Sequence, residues 1–120
     1  EIERRILKHV PQKRFAYLFT HGLGGEYGHP RHRGVHRAVE NLLRRGDLAA
    51  DAVFHFAYRH DERRGAAVPG RAAEAALQLP QNVSMMKRDI ITATYGFKKT
   101  SFEARSCADK EPFTVRLREK

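Results

Sequence analysis

Apolar residues at Ile2, Ile6, Leu7 and Val10 return at spacings of four, one and three, which places them on one face of a short helix that stops before Pro11. Arg4, Arg5 and Lys8 fall on the wet side. Phe15 to Phe19 is apolar throughout and too short to assign by period, so it reads as a second helix or a buried strand. Gly22 to Gly28 holds four glycines and reads as a loop. Pro30 then suits a first helical turn, Val35, Ala38, Val39, Leu42 and Leu43 make an apolar stripe at helical spacing, and Gly46 supplies a C-cap. This predicts a helix over 30–45, with Arg31, Arg33, Arg37, Arg44 and Arg45 on its other faces.

Val53 to Tyr58 is rich in aromatic residues and predicts a strand. A charged turn from His60 to Gly65 leads to Ala66-Ala67-Val68, a hairpin with Arg63 and Arg64 at its tip. Pro69-Gly70 marks the internal boundary, and the alanine-rich stretch 71–79 predicts a short helix stopped by Pro80. Met85 to Tyr95 mixes helix and strand signals and leans to helix. Phe113, Val115 and Leu117 alternate with Thr114, Arg116 and Arg118, the pattern of a strand with one basic, wet face, and Thr100 to Ser106 is expected to pair with it as a hairpin. The expected fold class is α+β, divided into an N-terminal part over 1–68 and a helical and β-hairpin extension over 69–120 that completes the same domain or docks on a partner.

Charge narrows the function. Among 120 residues, 23 Lys and Arg stand against 14 Asp and Glu, a net +9, and the surplus is present in both halves, at 11 basic to 6 acidic over 1–60 and 12 to 8 over 61–120. A neutral domain with a basic tail is therefore excluded, and polyanions are the expected partners. The single Cys107 rules out an internal disulfide and any zinc site built on paired cysteines. No apolar run approaches the roughly 20 residues a bilayer span requires, so no membrane partner is expected and the location is cytoplasmic or an organelle matrix. The chain opens on Glu1, which leaves room for a processed leader.

Taken in order, a helix, a short apolar element, a glycine loop, a basic helix and an arginine-tipped hairpin over 1–68 resemble the winged helix-turn-helix DNA-binding family. Val35-His36-Arg37-Ala38-Val39-Glu40-Asn41-Leu42-Leu43-Arg44-Arg45-Gly46-Asp47-Leu48 is similar to its recognition helix and the exit to the wing. The resemblance implies that Arg31, Arg33, His36 and Arg37 approach bases while Arg63 and Arg64 contact phosphates. Ala16 to Gly25 resembles a different pattern, the strand and oxyanion loop of α/β-hydrolases. That fold requires a Gly-x-Ser-x-Gly elbow, and Ser84, Ser101 and Ser106 stand in no such context, so no enzymatic activity is expected.

His29, His32 and His36 suggest metal ligation, with His32 and His36 one turn apart on a helix face. Arg31, Arg33 and Arg37 flank them and no carboxylate stands among the three, so neither a metal nor another cofactor is expected and the imidazoles read as exposed or phosphate-facing. Tyr95, Phe97 and Phe102 interleave with Lys98, Lys99 and Arg105, a set suited to single-stranded RNA or, equally, to a hairpin core beside surface lysines. Two functions follow. One is a winged-helix DNA binder or regulator working as a free homodimer, and the other is a structural RNA-binding component of a ribonucleoprotein particle such as a ribosome. An α/β-hydrolase-like fragment is a third, minor reading.

Overall fold

A computed structural model describes residues 1–119. Helix α1 (Ile2–His9) leads to strand β1 (Arg14–Thr20), a short distorted turn α2 (Gly25–Gly28) and the long helix α3 (Pro30–Arg45). Strands β2 (Ala49–Phe56), β3 (Tyr58–Asp61), β4 (Ala66–Pro69) and β5 (Ala75–Gln78) follow. Helix α4 (Gln81–Asp89) continues into a π-helical turn (Ile90–Thr94), and α5 (Phe102–Arg105) and β6 (Lys110–Leu117) complete the chain. The architecture is α+β. A four-stranded sheet has the order β1-β2-β6-β5, and β3 pairs with β4 in a separate hairpin.

The start and stop signals of α3 act as expected. The ring of His29 accepts a hydrogen bond from the Arg31 amide, Pro30 occupies the first turn, and Gly46 closes the helix at φ 79°. Its apolar stripe buries Ala38, Val39 and Leu42, and Leu42 is fully enclosed. The amphipathic α1 lies against the other flank of α3, where Ile2 reaches Gly34, Asn41 donates to Glu3 at 3.0 Å and Arg45 pairs with Glu3 at 2.8 Å.

Phe15 to Phe19 is a strand. It pairs in parallel with β2, Thr20 standing beside His55 and Phe19 beside Phe54, so α3 is the crossover between two parallel strands. The element order therefore departs from helix-turn-helix at β1, where that pattern has a second helix. The β3–β4 hairpin does form where a wing was expected, with the Arg63 and Arg64 amides both bonded to the Asp61 carboxylate in its turn. Because the side-chain period of a strand is two, Leu18, Thr20, Val53 and His55 face α3, while Tyr17, Phe19, Phe54, Phe56 and Phe113 share the opposite face. Phe19 stacks on Phe54 at 4.8 Å, and Phe113 meets both edge-on. Over β1 this aromatic face is open, with Tyr17 66% and Phe19 56% exposed.

Three expectations for the second half are corrected. The alanine-rich stretch 71–79 is not a helix, because Ala75 to Gln78 pairs with β6 as an edge strand and that pairing overrides alanine's helical preference. Thr100 to Ser106 forms no hairpin with β6. Ser101 caps Ala104 to start α5 instead, and β6 is already paired on both sides, with β2 and β5. The basic face of β6 is not simply wet, since Arg116 turns toward α3 and binds Glu40. Met85 to Tyr95 is helical, as its lean suggested.

Among the described residues no helix is long and apolar enough to cross a membrane. Leu42→Ala is expected to destabilise the fold by about 2 to 5 kcal/mol, since α3 cannot collapse onto the cavity without leaving the sheet. Urea unfolding of the wild-type and variant chains measures the difference.

Candidate functional site

The parallel pair β1 and β2 ends at one rim of the sheet, and the chain leaves β1 there through His21-Gly22 into the glycine loop. In open α/β units this rim, outside the carboxyl ends of the strands, is where ligands gather. The loop lies close on the sheet: a Cβ added at Gly22 would stand 2.2 Å from the Phe56 carbonyl oxygen, so only glycine fits. That approach presents the Gly22 amide to Glu26, whose Oε1 accepts from it at 2.9 Å.

Glu26 organises the loop. Its backbone sits at φ 63° and ψ −62°, a conformation rare for a residue with a side chain, and its carboxylate is only 9% exposed. Oε2 meets Nδ1 of His21 at 2.9 Å and Nδ1 of His32 at 2.6 Å. The His21 and His32 rings are stacked at 4.1 Å and nearly parallel, and His29 stacks on the other side of His32 at 4.5 Å. Tyr27 closes the stack edge-on and touches Phe102 of α5, while His60 of β3 lies against the same Phe102. Burial first, then the charges of Glu103 and Glu26, push the Tyr27 phenol up from its ordinary value.

A second group stands beside the first. His36 Nδ1 meets the His21 carbonyl oxygen at 2.9 Å, and His55 Nε2 meets Glu40 Oε1 at 2.8 Å. Arg116 clasps Glu40 through both guanidinium nitrogens, at 2.7 and 3.2 Å. Burial is the largest single influence on the Glu40 carboxyl and would raise it, but the hydrogen bonds from Arg116 and then His55 outweigh burial and hold it below the ordinary carboxylate value. Two sets, His21–Glu26–His32 and His36–Glu40–His55, each bring their donor atoms within 4.8 Å of one another.

The residues singled out in sequence divide between two surfaces. At 100° per residue Arg33, Arg37 and Arg44 form one ridge on α3, while Arg31, at the helix start, stands about 160° round from Arg33; all four are exposed. His36 was expected to face bases and instead turns inward. Arg63 and Arg64 are exposed at the hairpin tip, and Lys98 and Lys99 are exposed just before α5. The Tyr27–Phe102–His60 contacts join the hairpin and α5 to the rim that α3 starts from. His21, Glu26, His32, Glu40, His55 and Arg116 were not read as a site. Part of the signal was available, since His32, His36 and Glu40 recur every four residues along α3. The objection that no carboxylate stood among the histidines fails in three dimensions, because Glu26 arrives from the loop and Glu40 from one turn further along.

The three serines have local structural partners: Ser84 bonds Asp109, Ser101 caps α5, and Ser106 accepts from the Ala67 amide at 2.8 Å. Cys107 is buried. Burial, followed by its hydrogen bond to Glu111, pushes the Tyr58 phenol far above its ordinary range.

Because the folded-state value of Glu40 is depressed, its contribution to stability is full above about pH 4.5, the ordinary value, and is lost as pH falls through the lower folded value. Glu40→Gln is expected to cost about 1 kcal/mol at pH 7, a figure discounted for partial exposure, and to flatten the acid limb below pH 4.5. Urea midpoints from pH 7 to pH 3 compare the two chains.

Comparison of the chain with protein-family models, with curated proteins and with solved structures gave no match, so the functional reading rests on geometry and chemistry.

Proposed function

We propose that the protein binds nucleic acid through its phosphate backbone, using the arginine ridge of α3 with the β3–β4 hairpin tip and Lys98-Lys99 as flanking contacts. One observation carries this reading. Among the described residues, Arg31, Arg33, Arg37 and Arg44 have no carboxylate within ion-pair distance, whereas Arg45 and Arg116 around the same helix are paired with Glu3, Asp47 and Glu40. Arg44 meets only the Asn41 amide oxygen, and Arg33 only the Gly24 carbonyl. Unpaired like charges four residues apart destabilise a helix by a few tenths of a kcal/mol unless an anion lies against them. A phosphate backbone supplies such anions at regular spacing, and the ridge from Arg33 to Arg44 extends about 16 Å along the helix.

RNA in a ribonucleoprotein assembly is favoured over base reading in a DNA groove. The flanks of α3 are taken by α1 and by the sheet, and His32 and His36 turn into the rim, so the ridge alone is free. It offers charge along a line rather than a helix tip with bidentate reach. A winged-helix regulator would instead present the first turns of α3 to base edges. No enzymatic step is part of either reading.

Neutralising four phosphates is expected to weaken binding about a hundredfold between 50 and 200 mM salt, at a log–log slope near −3.6. Arg33→Ala and Arg37→Ala should each lower that slope by about one and reduce affinity alike on every RNA or DNA sequence tried. Fluorescence anisotropy with labelled oligonucleotides reads both quantities. A loss of about 1 to 3 kcal/mol confined to one preferred duplex would return the winged-helix reading. Binding indifferent to salt would remove both.

A further inference from the structure

We infer that His36, Glu40 and His55 form a binding site for one late first-row divalent cation, zinc above all. The inference is independent of nucleic-acid binding. Two histidines and one carboxylate on a half-buried rim, with the remaining positions open to water, are a donor set suited to such ions.

Geometry selects this group over its neighbour. Two imidazoles bind one ion only when their in-plane lone pairs converge. His21 and His32 are stacked at 12° with ring centres 4.1 Å apart, and both Nδ1 atoms share Glu26 Oε2, so an ion taking both would displace two contacts from one oxygen, whereas at His55 and Glu40 it displaces one. His36 and His55 cross at 60° with ring centres 5.2 Å apart, and their donor atoms lie within 4.8 Å of each other and of Glu40. The 2.8 Å between His55 Nε2 and Glu40 Oε1 need open only to about 3.4 Å, the separation of adjacent ligands in a tetrahedral site with bonds of about 2.1 Å.

The surrounding contacts are those that ligands of a metal use. A carbonyl oxygen can only accept, so His36 donates its Nδ1 proton to the His21 carbonyl and keeps a lone pair on Nε2. Arg116 holds Glu40 more tightly by Oε2, at 2.7 Å, than by Oε1, at 3.2 Å, so the carboxylate is oriented by one oxygen and can offer the other. His55 donates from Nε2 to Glu40 in the absence of an ion. Binding would leave the ring proton on Nδ1 and turn the Nε2 lone pair to the metal. The cost is electrostatic, since Arg116, bound to Glu40, repels a dication. The affinity is therefore expected to be micromolar rather than that of a closed structural site.

The test uses the full chain, stripped with chelator and titrated with zinc chloride by calorimetry and with cobalt chloride by visible absorption. One equivalent is expected, with cobalt d–d bands. His36→Gln and His55→Gln should each weaken zinc at least about tenfold, while His60→Gln leaves it unchanged. Unfolding midpoints without metal show whether the variants fold. In the wild-type chain, long-range ¹⁵N spectra should show His55 passing from the Nε2–H to the Nδ1–H tautomer as zinc is added, a readout that needs no substitution. The proposal is overturned by no stoichiometric uptake, by uptake with no change at His55, or by binding that survives in folded His36→Gln and His55→Gln and is lost in His32→Gln.

Discussion

Parallel pairing of β1 with β2 is the constraint from which the rest of the molecule follows. Parallel neighbours cannot be joined by a tight turn, so the chain must travel the length of the sheet before β2 begins, and α3 is that passage. The register that sets Thr20 beside His55 brings both strand ends to one rim. Helix α3 starts above the same rim, so its inward stripe of His32, His36 and Glu40 meets His21 and His55 there. The same helical period leaves Arg33, Arg37 and Arg44 on the adjoining ridge. One helix thus sets two chemistries side by side, a histidine and carboxylate flank and a cationic exterior, about 80° apart.

How much of this could be read from sequence depended on the range of the interactions. Helix α3 was legible because Pro30, the apolar stripe and Gly46 are all local. The hairpin carrying Arg63 and Arg64, and the strand at Phe113 to Leu117, were legible for the same reason. Phe15 to Phe19 fits helix and strand alike, since five apolar residues suit either period, and only pairing with β2 decides it. The stretch 71–79 reads as helix in sequence because alanine's local preference gives no hint of β6, some 35 residues onward.

The site was harder still. Half of it is a spacing within α3 and was visible, but His55 and Arg116 reach Glu40 across 15 and 76 residues of chain. Those partners change the meaning of the helix. Arginines around a histidine run suggest that any dication is repelled, yet Arg116 orients a carboxylate there, and Arg33 turns to the Gly24 carbonyl. Charge counted along a sequence has no direction, whereas a helix gives each charge an azimuth.

Glu26 has a consequence for motion. A residue held at φ 63° and ψ −62° stores backbone strain of about 1 to 3 kcal/mol, and it persists only because its carboxylate is gripped from three sides, by the Gly22 amide and two imidazoles. The loop is a bent spring fastened by one clasp. Anything that engages His21 or His32 from outside loosens that clasp and lets the backbone relax toward an ordinary basin. The first part of the molecule to open is then the glycine loop, while the strand pair beneath it stays closed.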